Sequence, residues 1–260
     1  MPVSVDAPVA PTRTLQELIL ATHFRAPLPL TVLDLADWVG AFSDFPIIQE
    51  LQPLPVSNMP APGAPQFSFE IHPVGTLPRM LLRTGDGRSS IQLQADRFAM
   101  GWSRIEPLGD LADYPGFEIM LQRWSQLLSR FEAWTTQRFH LRSEHRLVEV
   151  NYANASPLNQ HGQQKRISEI FKFVQTTGRP VNVFNTTWTE SVYPPAEGRL
   201  TGIVTAMVAL GNAPPDIPVV AFNFTGMAEV AEGHESKHIM NDLHAKIREM
   251  YQSAIVSDAA

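Results

Sequence analysis

The sequence predicts an α+β fold made of two similar halves. Two amphipathic patterns with helical spacing, over residues 115–135 and about 234–255, each follow a run of short segments typical of strands. Each half has the order strand, helix, three strands, long helix, and the halves are displaced by about 130 residues. We therefore expect two antiparallel sheets, each covered by its long helix and closely packed, with one continuous sheet as an alternative.

Composition narrows the class of protein. The chain has 260 residues, 44% of them hydrophobic, a formal net charge of −6 and no cysteine. Such an apolar fraction is enough for a sizeable core, and no apolar run approaches the roughly 20 residues that span a bilayer. The missing cysteine excludes disulfides and thiolate ligands, and the acidic balance argues against broad nucleic-acid binding. The N-terminal residues lack the pattern of a secretory signal, so we expect a cytoplasmic protein.

The first half is assigned to residues 15–140, after a flexible Pro- and Ala-rich tail at 1–14. Residues 15–24 fit a helix turn or a strand, and 30–42 have helical spacing. Six prolines within 46–66 predict a rigid extended connector, with a partner-binding segment as the alternative. Further predicted elements are strands at 67–73, 79–84 and 90–102 and the helix at 115–135, whose apolar stripe contains Phe117, Trp124, Leu128 and Phe131.

The second half is assigned to residues 141–260. A strand is predicted from Arg146, followed by a short helix at 167–175 and the final helix from about 234. Between these helices, turn signals at Pro194-Pro195 and at 211–215 separate three predicted strands, at 181–192, 199–210 and 217–227. The shared order of elements is similar to the tandem TATA-binding-protein-like and helix-grip architectures, which by itself implies no shared function.

The chain contains a set of short motifs: Pro78-Arg79, the segment 94–102 with Arg97-Phe98, Tyr114-Pro115 with Glu118, the segment 151–154, and 233–235. These motifs resemble those of a sporadically distributed family of bacterial proteins of about this length, for which no function is established. The family typically has a basic residue after the tryptophan of its central motif, where Ser103 stands here, and a tail after its last helix that this chain lacks. The resemblance carries over no catalytic residues, and the family's patchy distribution suggests mobile defence or toxin–antitoxin loci.

The final helix begins with a possible zinc motif. His234, Glu235 and His238 satisfy H-E-x-x-H, with Glu235 as the candidate general base and His244 as the candidate third ligand. However, the apolar stripe of this helix continues to Met250, so a helix break that would bring His244 to the other histidines is not expected. We therefore predict that zinc is not a cofactor, and a zinc-dependent hydrolase is the alternative function.

The predicted sheet offers candidate binding residues. Between residues 90 and 102, Gln92 and Gln94 alternate with apolar residues, so one face of the sheet is polar and suited to a ligand. Arg97 adds a guanidinium that suits a carboxylate or phosphate, or equally an ion pair with Asp96. Trp102 is a candidate aromatic platform, with burial in the core as the alternative.

These observations favour a non-enzymatic binding or interaction protein. Its partner would be a protein or a small ligand bound by the polar face of the sheet or by the surrounding loops. The sequence leaves the ligand and the oligomeric state open, with a homo-oligomer among the alternatives.

Overall fold

A computed structural model describes residues 14–59, 77–106, 108, 113–160, 163–164, 167–173, 185–193, 201–213, 216–231 and 235–256. The strands are β1 (Leu15–Phe24), β2 (Ile47–Leu51), β3 (Arg79–Arg83), β4 (Ser89–Gln94), β5 (Arg97–Ser103), β6 (His145–Pro157), β7 (Asn159–Gln160), β8 (Gln163–Gln164), β9 (Asn185–Tyr193), β10 (Gly202–Ala213) and β11 (Ile217–Glu229). The helices are α1 (Val32–Ala41), α2 (Phe117–Phe139), α3 (Ile167–Ile170) and α4 (Ser236–Ala254). None of these helices is long and apolar enough to cross a membrane.

The expectation of two sheets, each with its own helix, is wrong. The structure has a single nine-stranded antiparallel sheet in the order β2-β3-β4-β5-β1-β6-β11-β10-β9, beside the small β7–β8 hairpin. The physical reason is the pairing of β1 with β6, which runs from Leu15 opposite Asn154 to Phe24 opposite His145. Because this pairing joins the first strands of the two halves, neither strand is an edge, and a TATA-binding-protein-like pair of separate sheets does not form.

The strands of the first half differ from those predicted. The predicted strand at 90–102 is a hairpin, β4 and β5, in which Gln94 is paired with Arg97. The turn lacks the glycine or asparagine that usually signals a hairpin, and the Asp96 carboxylate accepts hydrogen bonds from both flanking side chains instead. The Pro-rich connector contains the edge strand β2, whereas the strand predicted at 67–73 and the tail at 1–13 lie outside the described residues.

Most other elements follow the expected pattern, although the helix predicted at 167–175 ends at Ile170. The ambiguous segment at 15–24 is the strand β1, and the helix predicted at 30–42 is α1, which begins with a capping box formed by Thr31 and Asp34. The two long helices begin within two residues of their predicted starts, and the strands predicted at 199–210 and 217–227 are β10 and β11. The boundary predicted at 140/141 falls between α2 and β6.

The long helices pack on the same face of the sheet. Helix α2 brings Phe131 onto β1 and β5, where its ring stacks on Phe24 at 5.6 Å and on Phe98 at 4.8 Å. Helix α4 lies so close to β11 that a Cβ atom on Gly226 would stand 3.2 Å from the Cβ atom of Leu243. This face therefore carries the main hydrophobic core.

Replacing Trp124 with alanine tests the burial of the α2 stripe. Trp124 is fully buried in the core, so we expect Trp124→Ala to lower the free energy of unfolding by about 3–5 kcal/mol because of the cavity that it leaves. Urea denaturation measures this loss. Gln122→Ala, at an exposed position of the same helix, is the control and should change stability by less than about 0.5 kcal/mol. A loss below about 1 kcal/mol for Trp124→Ala would contradict the packing.

Candidate functional site

One face of the nine-stranded sheet has no helix packed on it among the described residues, and we call it the helix-free face. Strand alternation and register assign side chains to it, since residues paired across adjacent strands share a face. Whereas the covered face is mainly apolar, polar side chains alternate on this face with apolar ones such as Ile19, Leu81 and Leu147. Its polar members are Glu17, His23, Arg79, Arg83, Ser90, Gln92, Gln94, Arg97, Ser103, Glu149, Asn151, Thr187, Thr189, Ser191, Thr205, Asn223 and Thr225.

Three of the four candidate binding residues lie on this face. Gln92 and Gln94 are on β4, and Arg97 is next to them on β5. Arg79 of β3 donates a hydrogen bond to Gln92, from Nη1 to Oε1 at 2.7 Å. Trp102 lies on the opposite, covered face, where it is buried and its ring packs edge-on against Tyr114 at 5.0 Å. The sheet therefore brings the two glutamines and Arg97 together and separates Trp102 from them.

Residues 52–59, which we call the strap, cross one end of the helix-free face. Gln94 of β4 pairs with the backbone of Leu54: its Oε1 accepts from the Leu54 amide at 2.7 Å, and its Nε2 donates to the Leu54 carbonyl at 2.8 Å. Arg97 of β5 donates to the Pro55 carbonyl and, at 3.3 Å, to the Ser57 hydroxyl. Arg146 of β6 donates to the Ser57 carbonyl.

The residues that hold the strap are themselves fixed. Arg97 and Gln94 are only 6% and 8% exposed, and both also donate to the Asp96 carboxylate, Arg97 through Nε at 3.1 Å and Gln94 through Nε2 at 2.9 Å. Arg146 stands at a register shift in β6, where a bulge redirects a side chain from its regular position. The ion pair between Arg97 and Asp96 is the structural alternative considered for this arginine, and here it accompanies the contact to the strap.

A buried histidine and a half-buried carboxylate lie beside this end of the face. His23 of β1 is opposite Arg97 in the register, is 1% exposed, and its Nε2 is 3.1 Å from Oε2 of Glu149 on β6. Within the part of the chain that the structure describes, Nδ1 of His23 has no hydrogen-bond partner, and neither has Nε of Arg79. Burial, and after it the positive charge of Arg97, lowers the pKa of Arg79. Buried polar atoms without partners are uncommon in folded proteins, and these two lie on the helix-free face; others, among them Nε1 of Trp102 and of Trp124, lie on the covered side.

A surface cavity of about 610 Å³ lies between α1 and α2 and is the other candidate pocket. The charged side chains that line it are already paired. Asp37 accepts from Nε1 of Trp134 at 2.8 Å, and Arg138 donates from Nε to Asp34 at 2.6 Å. The pKa of Asp34 is lowered, chiefly by its hydrogen bond with the Thr31 side chain and to a smaller extent by its hydrogen bond with Arg138. The cavity therefore offers a ligand fewer unsatisfied groups than the helix-free face does.

The candidate zinc motif does not form a site in the described residues. Glu235 is the N-cap residue of α4, and His238 is 74% exposed with its Nε2 at 4.0 Å from Asp242 Oδ2. Helix α4 continues without a break, so His244 faces the core on a different side of the helix. His234 lies outside the described residues; among those described, no three His, Asp or Glu side chains come close enough to hold a metal ion.

His244 instead joins α4 to α2 and the sheet. Its ring stacks on Phe117 with 3.8 Å between centroids, and its Nδ1 is 2.8 Å from the hydroxyl of Tyr152 on β6. Burial, and then the nearby Arg248, lowers the pKa of His244 to about 4. Burial also raises the pKa of Tyr152 well above its usual value, so both groups are neutral at pH 7. They act as a neutral hydrogen-bonded contact in the core.

Sequence reasoning missed the residues that complete the helix-free face. His23 was not recognised because β1 fitted both a helix turn and a strand, so its faces could not be assigned. Glu149 was considered only as an ion-pair partner for an arginine, Arg146 only as one of many arginines and as the start of a predicted strand, and Ser57 not at all. The prolines of the connector were the available signal for the strap, since they predicted an extended segment of the kind that binds partners.

No protein-family model matches the chain, and no curated protein matches it by sequence. The resemblance to the sporadically distributed bacterial family therefore depends on the motifs alone. Of these motifs, Arg79, Gln94 and Arg97 lie on the helix-free face, while the tyrosine of the 151–154 motif is the partner of His244.

The low pKa of His244 predicts that the folded state becomes less stable as the pH is lowered. The unfolded chain takes up the proton near pH 6.5, but the folded chain does so only near pH 4, so acid favours unfolding between these values. We expect this residue to lower the free energy of unfolding by about 2 kcal/mol between pH 7 and pH 5. Urea denaturation at both pH values measures the effect.

Two variants on the same helix separate this effect from other titrations. His244→Gln keeps a hydrogen-bonding side chain beside Tyr152 and should remove most of the pH dependence. His238→Gln, at an exposed position, should keep it. Equal pH dependence in wild type and His244→Gln would contradict the assignment.

Proposed function

We propose that this chain is a non-enzymatic binding protein whose binding surface is the helix-free face of the sheet. The observation that carries the proposal is that the two faces of the sheet differ in polarity and in helix packing. The covered face is apolar and packed by α2 and α4, while the other carries many polar side chains and, among the described residues, no helix. A sheet face of this kind can bind a partner through hydrogen bonds and ion pairs, with a few well-buried side chains providing most of the affinity.

The residues of this face suit binding better than catalysis. The His23–Glu149 pair resembles part of an acid–base arrangement, but catalysis also needs a nucleophile or a bound water that this pair can activate. Its neighbours on this face, Ala21, Ala99, Leu147 and Arg97, include no nucleophile. The zinc-dependent hydrolase gains no support from α4, because His238 and His244 lie on different sides of that helix.

The partner, in this proposal, is a protein or a small ligand that meets the helix-free face. In this proposal the protein acts in the cytoplasm. A role in a defence or toxin–antitoxin locus remains a prediction from the family resemblance. Self-association through the same face is an alternative form of the proposal, and the molecular mass in solution distinguishes it.

Charge introduced on the helix-free face tests this proposal. Met207 of β10 and Thr189 of β9 are exposed there and near each other in the register, so Met207→Lys with Thr189→Lys should disturb binding and leave the core intact. The matched control is Gln122→Lys with Gln126→Lys, which adds the same charge on the exposed side of α2. Partners captured from a lysate of the source cells are compared by mass spectrometry, and light scattering reports self-association.

We expect at least tenfold less of a specific partner, or of the self-associated form, with the sheet variant and no change with the helix variant. A partner retained equally by both variants would contradict the use of this face. Equal loss of the partner by both variants would also contradict it, because the effect would then come from the added charge alone.

A further inference from the structure

The strap is held almost entirely through its main chain. Four of its five contacts with Gln94, Arg97 and Arg146 are made by backbone atoms, namely the Leu54 amide and carbonyl and the carbonyls of Pro55 and Ser57. The Ser57 hydroxyl makes the one side-chain contact. A set of contacts made by backbone atoms does not depend on the side chains of the segment, so it accepts other extended sequences.

The side chains of the strap contribute little to the hydrophobic core. Leu54 is 38% exposed and Val56 is 53% exposed, so neither gains the full free energy of burial. The residues beneath them belong to strands in the interior of the sheet, where β4 and β5 are paired on both sides. A fixed set of donors and acceptors therefore holds a weakly packed segment, which is the arrangement in which local opening costs least.

The prolines of the strap favour the extended conformation in which it contacts the sheet. Pro53 and Pro55 flank Leu54 and restrict φ, so the segment loses less conformational entropy on becoming extended. Proline has no amide hydrogen, and the contacts respect this, because Pro55 is contacted only at its carbonyl. The amide that is used belongs to Leu54, between the two prolines.

From these contacts we infer that Gln94, Arg97 and Arg146 form a peptide-binding site that the strap occupies in cis, and that its ligand in trans is an extended, proline-containing segment of another protein. This inference rests on the proposed function and names the class of partner for one end of the helix-free face. Gln94 pairs with one residue of the ligand as a neighbouring strand would, and the two guanidiniums take the carbonyls that follow. The strap competes with the ligand and lowers its apparent affinity.

A labelled peptide with the sequence of residues 50–59 is the probe, and fluorescence anisotropy measures its binding to the full chain. In one variant, residues 52–59 are replaced by eight glycine and serine residues, which vacates the site. We expect one peptide to bind per chain, at least tenfold more tightly than to wild type, because the tethered strap no longer competes at its high effective concentration. Glycine in place of both prolines of the peptide should weaken binding several-fold.

Variants of the site supply the matched controls. In the strap-replaced chain, Gln94→Ala and Arg146→Ala should each weaken peptide binding at least tenfold. Arg123→Ala, which removes an exposed arginine of α2 outside the helix-free face, should leave binding unchanged. Circular dichroism and thermal unfolding establish that each variant is folded, and Pro53→Gly with Pro55→Gly serves as the vacated form if the replacement does not fold.

Absence of saturable binding to a folded, vacated chain would overturn the inference, and so would binding that is insensitive to both Gln94→Ala and Arg146→Ala. Neither result depends on Met207 or Thr189. If the peptide fails to bind while the lysine variant at these positions still loses its partner, the peptide site alone is rejected and the proposed function stands. If the lysine variant loses nothing while the peptide binds as described, the proposed wider surface is rejected.

Discussion

The pairing of β1 with β6 is the contact on which the rest of the structure depends. These strands are the first of the two halves, and each also pairs on its other side, β1 with β5 and β6 with β11. Once they are joined, the halves share one sheet, and one apolar face serves both α2 and α4. The opposite face then carries polar side chains among apolar ones, and this asymmetry is the basis of the proposed binding surface.

The helix-free face combines rigidity with unsatisfied polar groups. Its central strands are held by ladders on both sides and by the core beneath them, so Gln94, Arg97 and His23 are positioned without needing a ligand. Positions fixed in advance lower the entropy cost of binding. The strap uses part of this surface, and its own contacts demonstrate that the surface is able to hold an extended chain.

Local patterns predicted much of this structure, and the long-range pairing explains what they missed. The stripes of α2 and α4 and the alternation in β10 and β11 were recognised because burial imposes a period on neighbouring residues. Periodicity along the chain does not indicate which strands pair, so two sheets were predicted where the structure has one. The same limit applies to the site: Gln92 and Gln94 were assigned to a polar face by alternation. Trp102 was misplaced because the β4–β5 turn lies between it and those residues and carries no glycine signal.

The exchange of the Leu54 amide hydrogen tests the central claim, that a weakly held strap covers part of a rigid binding face. The amide is hydrogen-bonded to Gln94, and exchange measured by NMR gives the free energy of opening that contact. The account predicts a value at least about 2 kcal/mol below that of amides in the β1–β6 ladder, because the strap opens without unfolding the sheet. An opening free energy for Leu54 equal to that of the β1–β6 amides would contradict it, since the strap would then be a fixed part of the fold.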